Sequence, residues 1–181
     1  MKDAGPEIKC SFGIVIWHTD EDFEDLKTTI ESVKNIDYHK KNFGFAVCIK
    51  DKLAKDIGIQ TFVSMIQELK KEEYYAFLNV SSGDQSVKDR EDDCFSLISQ
   101  GRYLLKMTSG QEIEPTFFSS VNEMSEEELD KYPIFRKDDI VLVSKALASS
   151  RYYEFSNYDE MVQCITENDD ISQETYMLNE K

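Results

Sequence analysis

The chain has 181 residues, 40% hydrophobic and 31% charged, with a formal net charge of -15. Its 11 Phe and 9 Tyr supply enough apolar material for a core, so global disorder is not expected. A chain this acidic repels phosphate backbones and anionic lipid, which argues against nucleic acid or a membrane as partner.

The N-terminal MKDAGPEIKC has no apolar core of the kind a secretory leader needs. No apolar run nears the roughly 20 residues of a membrane span. Phe12 to Trp17 (FGIVIW) is a continuous apolar run, suited to a strand covered on both faces. Thr19 stands three residues before Asp22, an approximate capping box. Phe23, Leu26, Ile30 and Val33 then follow at helical spacing. Phe45 to Ile49 (FAVCI) reads as a second strand. Ile59, Phe62, Val63, Ile66 and Leu69 form a helical stripe closed by Lys70-Lys71, cations that suit a helix C-terminus. Tyr75 to Val80 is a third strand, Ser81 to Asp84 a turn, and Val87, Cys94, Phe95 and Ile98 a third helix ended by Gly101. Tyr103 to Met107 (YLLKM) is a fourth strand.

Pro115 fits the first turn of a short helix through Phe117, Phe118, Val121 and Met124. Ser125-Glu126-Glu127-Glu128 is a full capping box opening another. Ile140 to Val143 is a fifth strand, and Tyr158 to Thr166 a final helix. Residues 1–166 are expected to form one domain, and 167–181 an acidic, flexible tail. Strands alternating with helices predict an α/β fold with a mostly parallel sheet. Its ligands are expected just beyond the carboxyl ends of the strands. Cys10, Cys48, Cys94 and Cys164 are dispersed, and the only histidines are His18 and His39, so no zinc site is expected. Cys48 and Cys94 read as buried free thiols in a reducing compartment, and His18 as a surface residue.

The order of elements resembles the GT-A nucleotide-sugar glycosyltransferase fold, in particular the family 2 glycosyltransferases. Glu31-Ser32-Val33 and Asn35-Ile36-Asp37-Tyr38 match that family's first helix and its exit. The second strand leads into Lys50-Asp51, where the family has Val-Asp-Asp-Gly-Ser. The stretch GRYLLKMTSGQEIEP (101–115) keeps Gly101, Tyr103, Leu104, Met107, Glu112, Ile113 and Pro115 of the family pattern. It carries Thr108 and Gly110 at the two metal-motif aspartates, and Gln111 at the third acid. Residues 152–161 resemble the region in which the family carries its general base. The resemblance spans residues 10–166 and implies a GT-A-like three-layer sandwich.

It also implies site residues. Trp17, Thr19, Asp20 and Asp51 are candidate nucleotide contacts, and Asp159 and Glu160 candidates for the base. No metal ligand is assigned and no cofactor is expected. In an active relative, paired carboxylates hold Mg²⁺ or Mn²⁺ against the diphosphate, and Thr108 and Gly110 supply no charge for that. Two functions follow. One is a degenerate glycosyltransferase-like domain acting through protein partners as a binding or structural subunit of a larger assembly, such as a multiprotein machine or a virus particle. It would be cytoplasmic or a virion component. The other is a small active glycosyltransferase without the D-x-D metal site. It would use Lys50, Lys52, Arg102 or Lys106 at the diphosphate, or Mg²⁺ or Mn²⁺ on substitute ligands such as Glu112 and Glu114. A cleft filled by the side chains of the Thr108 to Gln111 turn favours the first; an open cleft with converging Lys50, Lys52 and Asp51 favours the second.

Overall fold

A computed structural model describes residues 7–18, 22–98, 101–167 and 175–178. In chain order its first half is β1 (Phe12–His18), α1 (Phe23–Lys34), β2 (Phe43–Lys50), α2 (Asp51–Ile57), α3 (Ile59–Lys71), β3 (Tyr75–Ser81), α4 (Val87–Leu97) and β4 (Tyr103–Thr108). The second half is α5 (Phe117–Asn122), α6 (Glu126–Lys131), β5 (Ile134–Lys137), β6 (Ile140–Ser144), α7 (Lys145–Arg151), α8 (Tyr158–Glu167) and β7 (Thr175–Met177). The strands form one sheet in the order β3-β2-β1-β4-β6-β5-β7.

Continuous apolar character places β1 at the centre. It pairs in parallel with β2 and with β4, and all seven of its residues are buried. β2 pairs in parallel with β3, so four consecutive parallel strands make up the first half of the sheet. β6 runs antiparallel to β4 and forms a hairpin with β5, and β7 lies parallel to β5.

Helices cover both faces, giving three layers. Leu26 of α1, Phe62 of α3, Phe118 of α5 and Leu129 of α6 pack with Ile14, Phe45 and Leu105. On the other face, Cys94 of α4 packs with Val15, Trp17 and Cys48. Beside it, Ala148 of α7 and Met161 and Ile165 of α8 cover Leu104, Ile134 and Val143. No helix among the described residues is long and apolar enough to cross a membrane.

Several elements depart from the sequence reading. α2 buries a single residue, Ala54, so its sequence carries no apolar stripe. β5 has two buried residues and becomes a strand by pairing with β6 and β7. β7 lies within the segment read as a tail and pairs with β5; residues 168–174 and 179–181 of that segment lie outside the described residues. α1 starts at Phe23 on Asp22, whose side chain makes no capping bond, and Thr19 of the expected capping box lies outside the described residues. The box at Ser125 and Glu128 forms in full. His18 is buried rather than on the surface, because β1 continues through it in register with Ile49.

The chain enters β4 through a backbone crossing at Gly101. A Cβ there would stand 2.7 Å from the Gly13 amide nitrogen and 3.0 Å from the Tyr103 carbonyl oxygen. Both neighbours are backbone atoms held in the sheet, so neither can yield cheaply. Gly101→Ala is therefore expected to destabilise the fold by about 1–3 kcal/mol, the usual range for overpacking. Urea denaturation checks this; an unchanged midpoint would show that β4 can shift to make room.

Candidate functional site

The carboxyl ends of the four parallel strands are His18, Lys50, Ser81 and Thr108. The turn after β4 is closed twice over. The Gln111 N–H donates to the Thr108 carbonyl at 3.0 Å, and the Thr108 N–H donates to Gln111 Oε1 at 2.8 Å. Gly110 carries φ +100°, a left-handed value that suits glycine and strains a residue with a Cβ. The turn is also tied to its neighbours. Ser109 N–H donates to the Trp17 carbonyl at 3.0 Å, and His18 Nδ1 lies 2.8 Å from Ser109 Oγ. Gly110 N–H donates to Thr29 Oγ1 at 2.9 Å, and that hydroxyl donates to the Gln111 carbonyl at 2.8 Å.

Gln111 then reaches outward, its Nε2 donating to Asp139 Oδ2 at 2.9 Å. Asp139 sits on the β5–β6 hairpin. Thr108, Gln111, Arg136, Asp139, Lys106 and Asp159 line a cavity of about 360 Å³ beyond β4. Among the described residues no three His, Cys, Asp or Glu side chains are grouped to hold a metal ion. Glu114 is engaged by Lys137 at 2.6 Å, and Glu112 lines a separate groove beside α1.

The floor of the cavity is an ion-paired network. Lys106 points from β4 between Glu91 of α4 and Asp159 of α8, 2.8 Å from each. The Lys106 and Glu91 side chains are 3% and 0% exposed, whereas Asp159 is 71% exposed. The other Glu91 oxygen accepts from the Tyr158 N–H at 2.9 Å and the Tyr152 hydroxyl at 3.1 Å. Burial raises the Tyr152 and Tyr158 phenols, so both stay neutral donors. The Lys106 ammonium also lies 4.3 Å from the Trp17 ring centroid, with the Arg90 guanidinium 5.8 Å from the same ring.

The sequence candidates fall in different places. Asp159 lines the cavity but is paired with Lys106. Glu160 turns back onto its own helix start, accepting from the Ser156 N–H at 2.8 Å, and the Ser156 hydroxyl, then this N–H, hold its carboxyl below the usual range. Trp17 is 9% exposed and packed in the core beneath α4. Asp51 opens α2, its Oδ1 3.7 Å from where a Cβ on Gly83 would stand. Thr19 and Asp20 lie outside the described residues. Arg102 is at the opposite end of β4 and pairs with Glu126 at 3.2 Å, so it does not serve this cavity.

Sequence reading missed Glu91, Arg136 and Asp139. The one signal for Glu91 was Lys106 itself, a cation inside an apolar strand that must find a buried partner. α4 was read as facing the sheet with Val87, Cys94, Phe95 and Ile98, yet it also buries Arg90 and Glu91 and leaves Val87 37% exposed.

This mostly parallel seven-stranded sheet with helices on both faces has the GT-A glycosyltransferase fold. No family model and no curated sequence matches the chain. It is similar to TarS 1–349 of S. aureus, solved in complex with UDP, with TM-score 0.63 and 11% identity over 94% of this chain and 58% of that one. It is similar also to Rv0371c from Mycobacterium tuberculosis H37Rv, with TM-score 0.57 and 8% identity over 93% of this chain and 87% of that one. A third likeness is the mannosyltransferase PcManGT from Pyrobaculum calidifontis, solved with GDP-Man and Mn²⁺, with TM-score 0.56 and 7% identity over 82% and 49%. The chain thus spans little more than half the length of TarS 1–349, and at these identities the likeness is one of fold.

Replacing Lys106 by Met leaves the Glu91 carboxylate buried without its counter-charge. That is expected to destabilise the fold by about 3–5 kcal/mol. Asp159→Asn removes only an exposed partner and is expected to cost less than about 1 kcal/mol. Denaturant titration of both variants checks the contrast; equal losses would mean that Asp159, not Glu91, anchors Lys106.

Proposed function

We propose that this chain is a glycosyltransferase-like domain that has lost metal-dependent sugar transfer and acts by binding, as an interaction or structural subunit of a larger assembly. The observation that carries the reading is the turn after β4. By the sequence resemblance Thr108, Gly110 and Gln111 stand where the family carries its metal-motif acids, and the Gln111 side chain is spent on the turn itself and on Asp139. Restoring an acid at Gly110 meets a left-handed backbone, so the turn's conformation also disfavours the lost chemistry. The same reading accounts for Asp159, whose carboxylate is engaged by Lys106 at 2.8 Å. Among the described residues Lys106 is committed to Glu91, which takes it away from any diphosphate. On this reading the subunit is cytoplasmic or a virion component, with other proteins as its partners.

A second reading is favoured by one observation: a cavity of about 360 Å³ stays open beyond β4, with Arg136 and Lys106 on its wall. That is within the size range of small-ligand sites. Two neighbours of this fold were solved with UDP and with GDP-Man and Mn²⁺, so a nucleotide sugar is the ligand to try. On this reading the chain is a small glycosyltransferase working without the D-x-D site, or with Mg²⁺ or Mn²⁺ on substitute ligands.

Calorimetric titration with UDP-, GDP- and CMP-sugars, with and without Mn²⁺, separates the two. We expect no binding tighter than about 1 mM, equivalent to about -4 kcal/mol, and no response to Mn²⁺. Metal-dependent binding of any sugar nucleotide overturns the proposal. Metal-independent binding that is weakened by Arg136→Ala supports the second reading instead.

A further inference from the structure

β3 closes one end of the sheet, with β2 on one side and, among the described residues, no strand on the other. Exposed sheet edges are normally blunted by charge, proline or a bulge, because their free N–H and C=O groups template pairing. Here the run from Tyr74 to Gly83 contains no charged residue and no proline, in a chain that is 31% charged. Tyr75 is 51% and Val80 40% exposed, and Phe77 and Leu78 are only partly covered. The helices that pack on β3 add to this apolar rim through Ile59 of α3, 44% exposed, and Leu97 of α4, 39% exposed.

The charges that flank the strand have a polarity. Exposed Lys70 and Lys71 precede it, and the Lys70 ammonium lies 5.8 Å from the Phe77 ring, beside the strand. Glu72, which follows them, is already engaged by Lys34 at 3.2 Å, leaving Glu73 as the one uncommitted acid of the entrance. At the exit stands exposed Asp84. Along β3's own flanks the entrance is therefore net positive and the exit negative; Lys50, opposite Ser81, stands on the inner β2 side rather than at the free edge. An antiparallel neighbour of the same sequence sets each exit against the other's entrance, so Lys70 and Lys71 meet Asp84 twice. A parallel neighbour would stack like charges.

We propose that β3 pairs antiparallel with β3 of a second copy of this chain, about a two-fold axis, extending the sheet across both. A two-fold contact sets the same patch against itself. With a net charge of -15 on each copy, most of the surface would then oppose acid to acid. The uncharged strand with complementary ends is the patch that escapes this. The inference does not depend on how the cavity beyond β4 is read.

Sedimentation velocity on the full chain, from about 1 to 100 µM, tests it. A dimer is expected to form over that range. Val80→Lys places a cation on the edge and is expected to weaken the dimer by tenfold or more. Asp84→Lys lies in an exposed turn, leaves the fold intact by circular dichroism, and is expected to weaken it similarly. Combining Asp84→Lys with Lys70→Asp and Lys71→Asp reverses both ends and is expected to restore pairing. A monomer throughout, or a dimer indifferent to Val80→Lys and Asp84→Lys, overturns the proposal. So does a monomer that takes a different protein strand at β3.

Discussion

The buried pair of Lys106 and Glu91 is the constraint to which the rest of the cavity answers. Two opposite charges with almost no solvent contact are stable only if every remaining donor and acceptor is used. That requirement is met by the Tyr158 amide and the Tyr152 hydroxyl on Glu91, and by Asp159 and the Trp17 ring on Lys106. These groups come from β1, β4, α4, α8 and the turn before α8. The pair therefore fixes how α8 sits over the sheet, and with it the outer wall of the cavity. Asp159 is thereby the exposed end of a structural ion network.

The turn after β4 obeys a similar logic on the other face. Thr29 of α1 uses its hydroxyl twice, accepting from Gly110 and donating to Gln111. Ser32, one turn further along α1, accepts from the Ile113 N–H at 3.2 Å. α1 thus supplies the partners that backbone groups of an irregular segment need when water is excluded. Because these bonds serve the backbone, they do not require acids at positions 108, 110 or 111. The path of the turn is thus set jointly by α1, by the Gln111 side chain and by the left-handed Gly110.

Legibility in the sequence followed burial. The four parallel strands and α1, α3 and α8 announced themselves because each carries a long apolar run or stripe, and both apolar layers could be anticipated from them. α2, β5 and β7 did not, since each is held by neighbours rather than by its own pattern: one buried alanine in α2, a pairing with β6 for β5, a pairing with β5 for β7. The site was less legible than the fold for a related reason. Lys106 stood out as a charge in an apolar strand, but its partner Glu91 lies in a helix reading Lys-Asp-Arg-Glu-Asp-Asp, where six successive charges look equally solvated. Arg136 and Asp139 reach the cavity through a hairpin that sequence alone did not reveal.

The residues that carried the resemblance explain why it transmits fold more surely than function. Gly101 is required where backbones cross within van der Waals distance. Tyr103 is 1% exposed, and its ring lies 5.9 Å from Phe12 and 5.6 Å from Phe135. Ile113 is 3% exposed in the main cluster, and the Pro115 carbonyl accepts from the Asp37 N–H at 2.8 Å. Each of these holds β4 and its exit in place; none points a reactive group into the cavity. Positions 108, 110 and 111, to which the resemblance assigns the metal-motif acids, carry Thr, Gly and Gln. A motif that mixes packing and catalytic positions can keep the first set under the demands of folding alone, because losing any of them destabilises the sheet. Its catalytic set has no such protection, so a match confined to the packing positions speaks for the fold and leaves function to the site itself.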